Sequence, residues 1–210
     1  MPVVIARNWF LVTLAAIASS GCSGVLESSK PPREVYLLQP PAVSSQSTTG
    51  ASRVNLVLSV SAVPGLDSDR ILVLGPDARL NPVVNAHWAD HMPEVITSIT
   101  RRFLSATGRF ATVQQGALAR PGDWLLQLEL QAFFGVQDST AEVTSVLLQW
   151  EGLLQCNDHR HGLRWQEKIT VRGSSLSSLV AAHQRALDTA LQQLPASIEQ
   201  ACPGGTAHAG

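Results

Sequence analysis

The chain has 210 residues and a mass of 22.4 kDa, room for one domain with a sizeable core. Fifteen Lys and Arg against sixteen Asp and Glu leave a net charge of −1, which excludes a binder that works by neutralising nucleic-acid phosphates. With 45% hydrophobic residues and three cysteines it is neither wholly disordered, nor a disulfide-built scaffold, nor a four-thiolate zinc protein.

Residues 1–21 read as a lipoprotein signal peptide. Arg7 charges the start, Trp9 to Ala18 form a short apolar stretch, and Ser19-Ser20-Gly21 are small residues ahead of Cys22. The pattern resembles a lipobox, in which cleavage frees a cysteine that is diacylated on sulfur and then acylated on its amine. Small residues let the chain lie extended in the peptidase, and the thiol accepts the lipid. The stretch falls short of the ~20 apolar residues that span a bilayer. Two or three acyl chains anchor a protein stably where one does not. Ser23 after the cysteine resembles lipoproteins passed on to the outer membrane, so a lipid anchor on its periplasmic face is expected.

Residues 22–51 are rich in Ser, Pro and Thr and read as a flexible tether. One apolar island, Val35-Tyr36-Leu37-Leu38, is a candidate edge strand docking on the domain. The globular domain is expected over residues 52–202, with a disordered tail from 203 to 210.

Within the domain, Val54, Leu56, Leu58, Val60 and Ala62 alternate with polar residues and predict a strand. Pro64-Gly65 turns the chain into a second strand, Arg70 to Leu74. Trp88, Met92, Val95, Ile96, Ile99 and Phe103 recur at helical spacing, with Pro93 suited to the first turn and Gly108 beyond the end. Phe110 to Val113 is a short strand. Leu126, Leu128, Leu130 and Ala132 form the inward side of a strand from Trp124 to Phe134. Two further strands, about 142–156 and 163–171, are joined by the polar run 157–162 as a hairpin. A last helix from Ser175 carries Leu179, His183, Ala186, Leu187, Ala190, Leu191 and Leu194 on one side. The expected fold is α+β, a mainly antiparallel sheet packed against two amphipathic helices.

Catalytic constellations are not found: there is no nucleophile elbow, no His–Glu metalloprotease helix and no phosphate loop. His87 and His91, four apart beside Asp90 and Glu94, could share a metal on one helical face. A solvated helix start with acidic residues favoured by the dipole is the preferred reading. His159 and His161, with Asp158 and Cys156, are weighed the same way and read as a polar loop tip. Neither a metal site nor a cofactor is therefore expected. Cys156 and Cys202 form a candidate disulfide in an oxidising compartment, closing 46 residues; two free thiols are the alternative.

The segments Pro64-Gly65-Leu66-Asp67-Ser68-Asp69-Arg70-Ile71-Leu72-Val73 and Ala86-His87-Trp88-Ala89-Asp90-His91-Met92, with Tyr36-Leu37 before them, resemble the ABC-type transport auxiliary lipoproteins. The resemblance runs from about Tyr36 to Ile198. It implies a non-enzymatic, outer-membrane-anchored component of an intermembrane lipid transport system. The implied partners are an MCE-domain membrane protein with its ABC permease and ATPase, and a ring-forming family member implies a homo-oligomer. A structural lipoprotein that assembles or plugs an outer-membrane β-barrel is the alternative, and a periplasmic enzyme or metal protein using the histidines is a third reading.

Overall fold

The computed structural model describes residues 32–43 and 54–203. The signal peptide, Cys22, most of the tether and the tail from Gly204 lie outside the described residues. The elements are β1 (Glu34–Tyr36), β2 (Asn55–Ala62), a 3-10 turn (Pro64–Leu66), β3 (Arg70–Leu74), β4 (Leu80–Trp88) and α1 (Met92–Ala106). They continue as β5 (Thr112–Gln115), β6 (Trp124–Gln137), β7 (Val143–Cys156), β8 (His159–Thr170) and α2 (Leu176–Ala201).

The eight strands form one sheet, and it is mixed rather than mainly antiparallel. β6 pairs antiparallel with β7, and β7 with β8, along nearly their full lengths. On its other edge β6 runs parallel to β2 from Trp124 to Leu130 and parallel to β3 at Gly135 and Val136. β2 is also parallel to β5, and β1 to β4, while β3 and β4 are antiparallel. Inward alternation on β2 and β6 is the same whichever way the neighbour runs, so the pattern did not report direction. The long connection from β2 to β5, through β3, β4 and α1, gives that pair the crossover a parallel ladder needs.

β6 is the spine, and a β-bulge sets its geometry. Leu130 faces Trp150 on β7, but the next pair is Ala132 with Gln149, leaving Gln131 as the extra residue. The phase therefore flips after Leu130. Leu126, Leu128, Leu130 and Ala132 are buried as expected, and the bulge brings Phe133 into the core beside Ala132 while Phe134 is half-buried. Gly135 follows on that face, where a Cβ would meet Val143 Cγ1 at 2.9 Å and Leu179 Cδ1 at 3.2 Å. The absent side chain lets the start of α2 close on β6.

α1 begins at Met92 rather than at Trp88, and Met92, Ile96, Ile99 and Phe103 are buried. α2 is capped by Ser175, whose Oγ accepts the Ser178 N–H at 3.2 Å. Every residue of its expected inward stripe, Leu179 to Leu194, is buried, and Pro195 lies within the helix without ending it. Among the described residues no helix is long and apolar enough to cross a membrane.

The apolar island of the tether is β1. It pairs with the end of β4, Leu38 is buried in the core, and the Gln39 backbone exchanges hydrogen bonds of 2.9 and 2.8 Å with the Gln184 side chain on α2.

Candidate functional site

The two segments that carry the family resemblance, residues 64–73 and 86–92, form one joint. The Asp69 carbonyl accepts the Trp88 N–H at 2.7 Å, and the Ser68 carbonyl accepts the Met92 N–H at 3.1 Å. The Asp69 carboxylate accepts from His87 Nδ1 at 3.2 Å and pairs with Arg33. Desolvation works to raise the Asp69 carboxyl. The His87 hydrogen bond and the charges of Arg33, His87 and Arg70 outweigh it and hold the carboxyl below its ordinary value. Asp67 accepts from His91 Nδ1 at 3.2 Å. That bond raises the imidazole above its ordinary value against slight desolvation, with the Asp67, Glu94 and Asp69 charges adding. The joint fixes where β4 ends and α1 begins.

His87 and His91 therefore do not share a helical face. His87 is a strand residue, buried against Asp69, whereas His91 is exposed and immediately precedes the helix. Met92, not Trp88, starts α1, so the four-residue spacing loses its helical meaning. His91 instead groups with Asp67 and Glu94, all three exposed.

Trp88 is a core residue at the end of a strand. It lies over Phe133 at 6.2 Å between ring centroids and edge-on to His183 at 5.2 Å; Phe133 and His183 stand at 4.8 Å. His183 is fully buried, and its Nδ1–H donates to the Leu179 carbonyl at 2.9 Å. Its Nε2 has no hydrogen-bond partner among the described residues. Burial lowers this imidazole to about 4 against a backbone bond that favours the proton, so it is neutral at pH 7.

At the opposite end of α2, the structure joins Cys156 and Cys202 as a disulfide with Cα atoms 6.3 Å apart. It ties the end of β7 to the residue after α2. The hairpin beside it is tighter than the six-residue loop expected: Asn157 and Asp158 make the turn, Asn157 with a φ of 53°, and His159 to Gly162 belong to β8. His159 pairs directly with Cys156 across the strands. Thiol labelling without reductant is expected to leave the Cys156 and Cys202 peptides unmodified. Reduction should lower stability by roughly 4 kcal/mol in the chain-entropy picture. Full labelling of both peptides before reduction would refute the pairing.

A cleft of about 860 Å³ lies at the end of the sheet where the β3–β4 turn, the β6–β7 turn and the loop into α2 meet. Val73, Val83, Val84, Val143, Val171 and Leu176 supply its apolar lining. β4 shapes it: Arg70 faces His87, but Leu72 already faces Pro82, so β4 bulges between them. Asn85 takes a φ of 58° there, and Val84 is 81% exposed. Glu142 is the one ionisable side chain of the lining. The rest of the cleft is lined by apolar and uncharged polar groups. It is suited to holding an apolar group or a protein segment.

β4 escaped sequence reading because Pro82 interrupts it. Proline is tolerated there because β1 covers only Ala86 to Trp88, leaving the outer edge at Pro82 unpaired and in no need of an N–H.

A family model for the ABC-type transport auxiliary lipoprotein component matches residues 36–194. The chain belongs to this family. The matched region of this transport auxiliary lipoprotein contains the Asp67–His91 joint and the large cleft, and stops at Leu194, short of Cys202. Its fold is similar to that of protein XCC0632 from Xanthomonas campestris, at 17% identity and a TM-score of 0.66, covering 77% of this chain and 92% of that one. A second crystal structure, of an uncharacterized protein, is similar at 13% identity and a TM-score of 0.63, covering 80% and 99%. A comparison with curated proteins finds no match at a significant level.

Proposed function

We propose that this auxiliary lipoprotein is acylated at Cys22, sits on the periplasmic face of the outer membrane and docks the conduit of an MCE-type transport system there. It does so without catalysing a reaction, and the cargo class is phospholipid or another hydrophobic molecule. The family match across residues 36–194 carries this reading. Two features support it: the described lining of the 860 Å³ cleft holds a single ionisable group, and its apolar wall includes the solvent-facing Val84.

Affinity purification of the tagged full chain from solubilised envelopes tests the reading. An MCE-domain protein, with its permease and ATPase, is expected to co-purify, and the chain should fractionate with outer membranes. Cys22→Ala is expected to lose the acyl mass, leave the outer-membrane fraction and recover much less of the MCE protein. Recovery of a β-barrel without any MCE protein would replace this reading with a barrel-assembly role. Unchanged processing and fractionation of Cys22→Ala would remove the anchor.

A further inference from the structure

We propose that the corner holding Cys156 and Cys202 is a redox-gated zinc site, closed while the disulfide stands and opened by its reduction. The observation is a convergence of soft donors from three elements. Cys156 ends β7, Cys202 follows α2, and His161 on β8 brings a ring nitrogen in, with all three ligand atoms within 4.8 Å of one another. His159 is two residues before His161, hence on the same face of β8, and directly across from Cys156. The two imidazoles stand 6.4 Å apart between centroids, and both line a pocket of about 350 Å³ with the two cysteines.

Two thiolates and two imidazoles are a donor set that zinc takes in tetrahedral form. Bonds of about 2.3 Å to sulfur and about 2.1 Å to nitrogen put tetrahedral ligand atoms just under about 4 Å apart. The sulfurs must part once their bond is broken; Cys202 caps α2, its N–H still bonded to the Ile198 carbonyl at 3.0 Å, so the parting falls to rotation of the cysteine side chains. The helix keeps its seat meanwhile: Leu187, Leu191, Leu194 and Ile198 are fully buried independently of the disulfide. His161 is already in place, whereas His159 lies outside that group of three ligands, exposed on the pocket wall, and has to swing in as the fourth.

The chemistry balances with one co-reactant, a dithiol. Its thiolate attacks one sulfur of the Cys156–Cys202 bond, and its second thiol resolves the mixed disulfide. The dithiol leaves oxidised, with two electrons and two protons delivered to the cysteines. Zinc binding then displaces those two protons to solvent, leaving two thiolates on the metal.

The test uses the full chain in detergent, reduced with a phosphine, desalted without oxygen and dialysed against zinc chloride. Reduced protein is expected to retain about one zinc per chain and the oxidised protein almost none. Cobalt in place of zinc should give thiolate charge-transfer absorption. Cys202→Ser should abolish retention, and His161→Ala should weaken it at least about tenfold. If reduction loosens the fold, recovery of the near-ultraviolet dichroism on adding zinc supports the site equally. Retention by reduced protein no greater than by oxidised protein overturns it. So does equal retention by the Cys156→Ser/Cys202→Ser double variant, which would mark an adventitious ion only.

Discussion

Leu187→Glu is expected to abolish the folded domain. Leu187 is fully buried at the centre of the α2 stripe, between Ala186 and Ala190 on the helix, with Leu191 and Leu194 one and two turns on. Removing a buried Leu side chain costs about 2–5 kcal/mol by itself. The carboxylate adds the cost of a buried charge or of the proton that neutralises it. Whole-domain stability is about 5–15 kcal/mol, so the combined penalty consumes most or all of it. Near-ultraviolet dichroism should be lost and limited proteolysis should run to completion. Gln192→Glu, on the exposed face of the same helix, should be indistinguishable from wild type. A Leu187→Glu protein that still unfolds cooperatively at close to the wild-type denaturant midpoint would show that α2 is not part of the cooperative core.

Acid should destabilise the domain through His183, and the sign follows from where its proton is missing. The imidazole titrates near 6.5 in the unfolded chain and at about 4 in the folded one, because burial disfavours the charged form. Between those values the unfolded state binds more protons, so stability rises with pH through the window and falls as acid is added. The full gap corresponds to about 3 kcal/mol, reached only below about pH 4. Protonation would place a charge on Nε2, which faces no protein acceptor, between Trp88 and Phe133. Urea unfolding at a series of pH values should show this loss, and His183→Leu should flatten the slope between pH 6.5 and about 4 relative to wild type. An equal slope in the variant would assign the acid sensitivity to the carboxylates instead.

The buried stripes of both helices and the inward face of β6 up to Leu130 were legible because one-sided burial leaves a period in the sequence. Three things were not. The bulge at Gln131 breaks the period without any residue that announces a bulge, so Phe133 and Phe134 could not be told apart beforehand. β4 carries Pro82 and the left-handed Asn85, both read locally as turn residues, and only the unpaired outer edge makes a strand of them. The parallel pairing of β2 with β6 depends on contacts 68 residues apart, which no local pattern encodes. At the site level, His87 and His91 were read as a solvated helix start in preference to a metal face, and the helix start at Met92 removes the shared face altogether. The Cys156–Cys202 pair was available from composition and compartment, but the approach of His161 to it was not. That follows from the turn at Asn157-Asp158, which shifts the histidines out of a loop and into paired strand.

The split edge of β6 governs the order in which this chain can acquire its shape. A chain that emerges N-terminus first presents β2 long before either of its neighbours exists, since β5 begins at Thr112 and β6 at Trp124. Until then the hydrophobic strand Leu56–Val57–Leu58 has two open edges, the arrangement that invites pairing with another molecule. β3 can pair early with β4, but its other edge stays open until Gly135 and Val136 arrive. Before β6 arrives, the N-terminal half can build only the β3–β4 hairpin with β1 alongside β4. Delivery of β6, with β7 behind it, is the event that joins the β1–β4–β3 unit to β2 and makes one sheet. Folding is correspondingly governed by long-range closure rather than by local turns. A chain truncated before Trp124 would emerge as an aggregating fragment, not as a smaller domain.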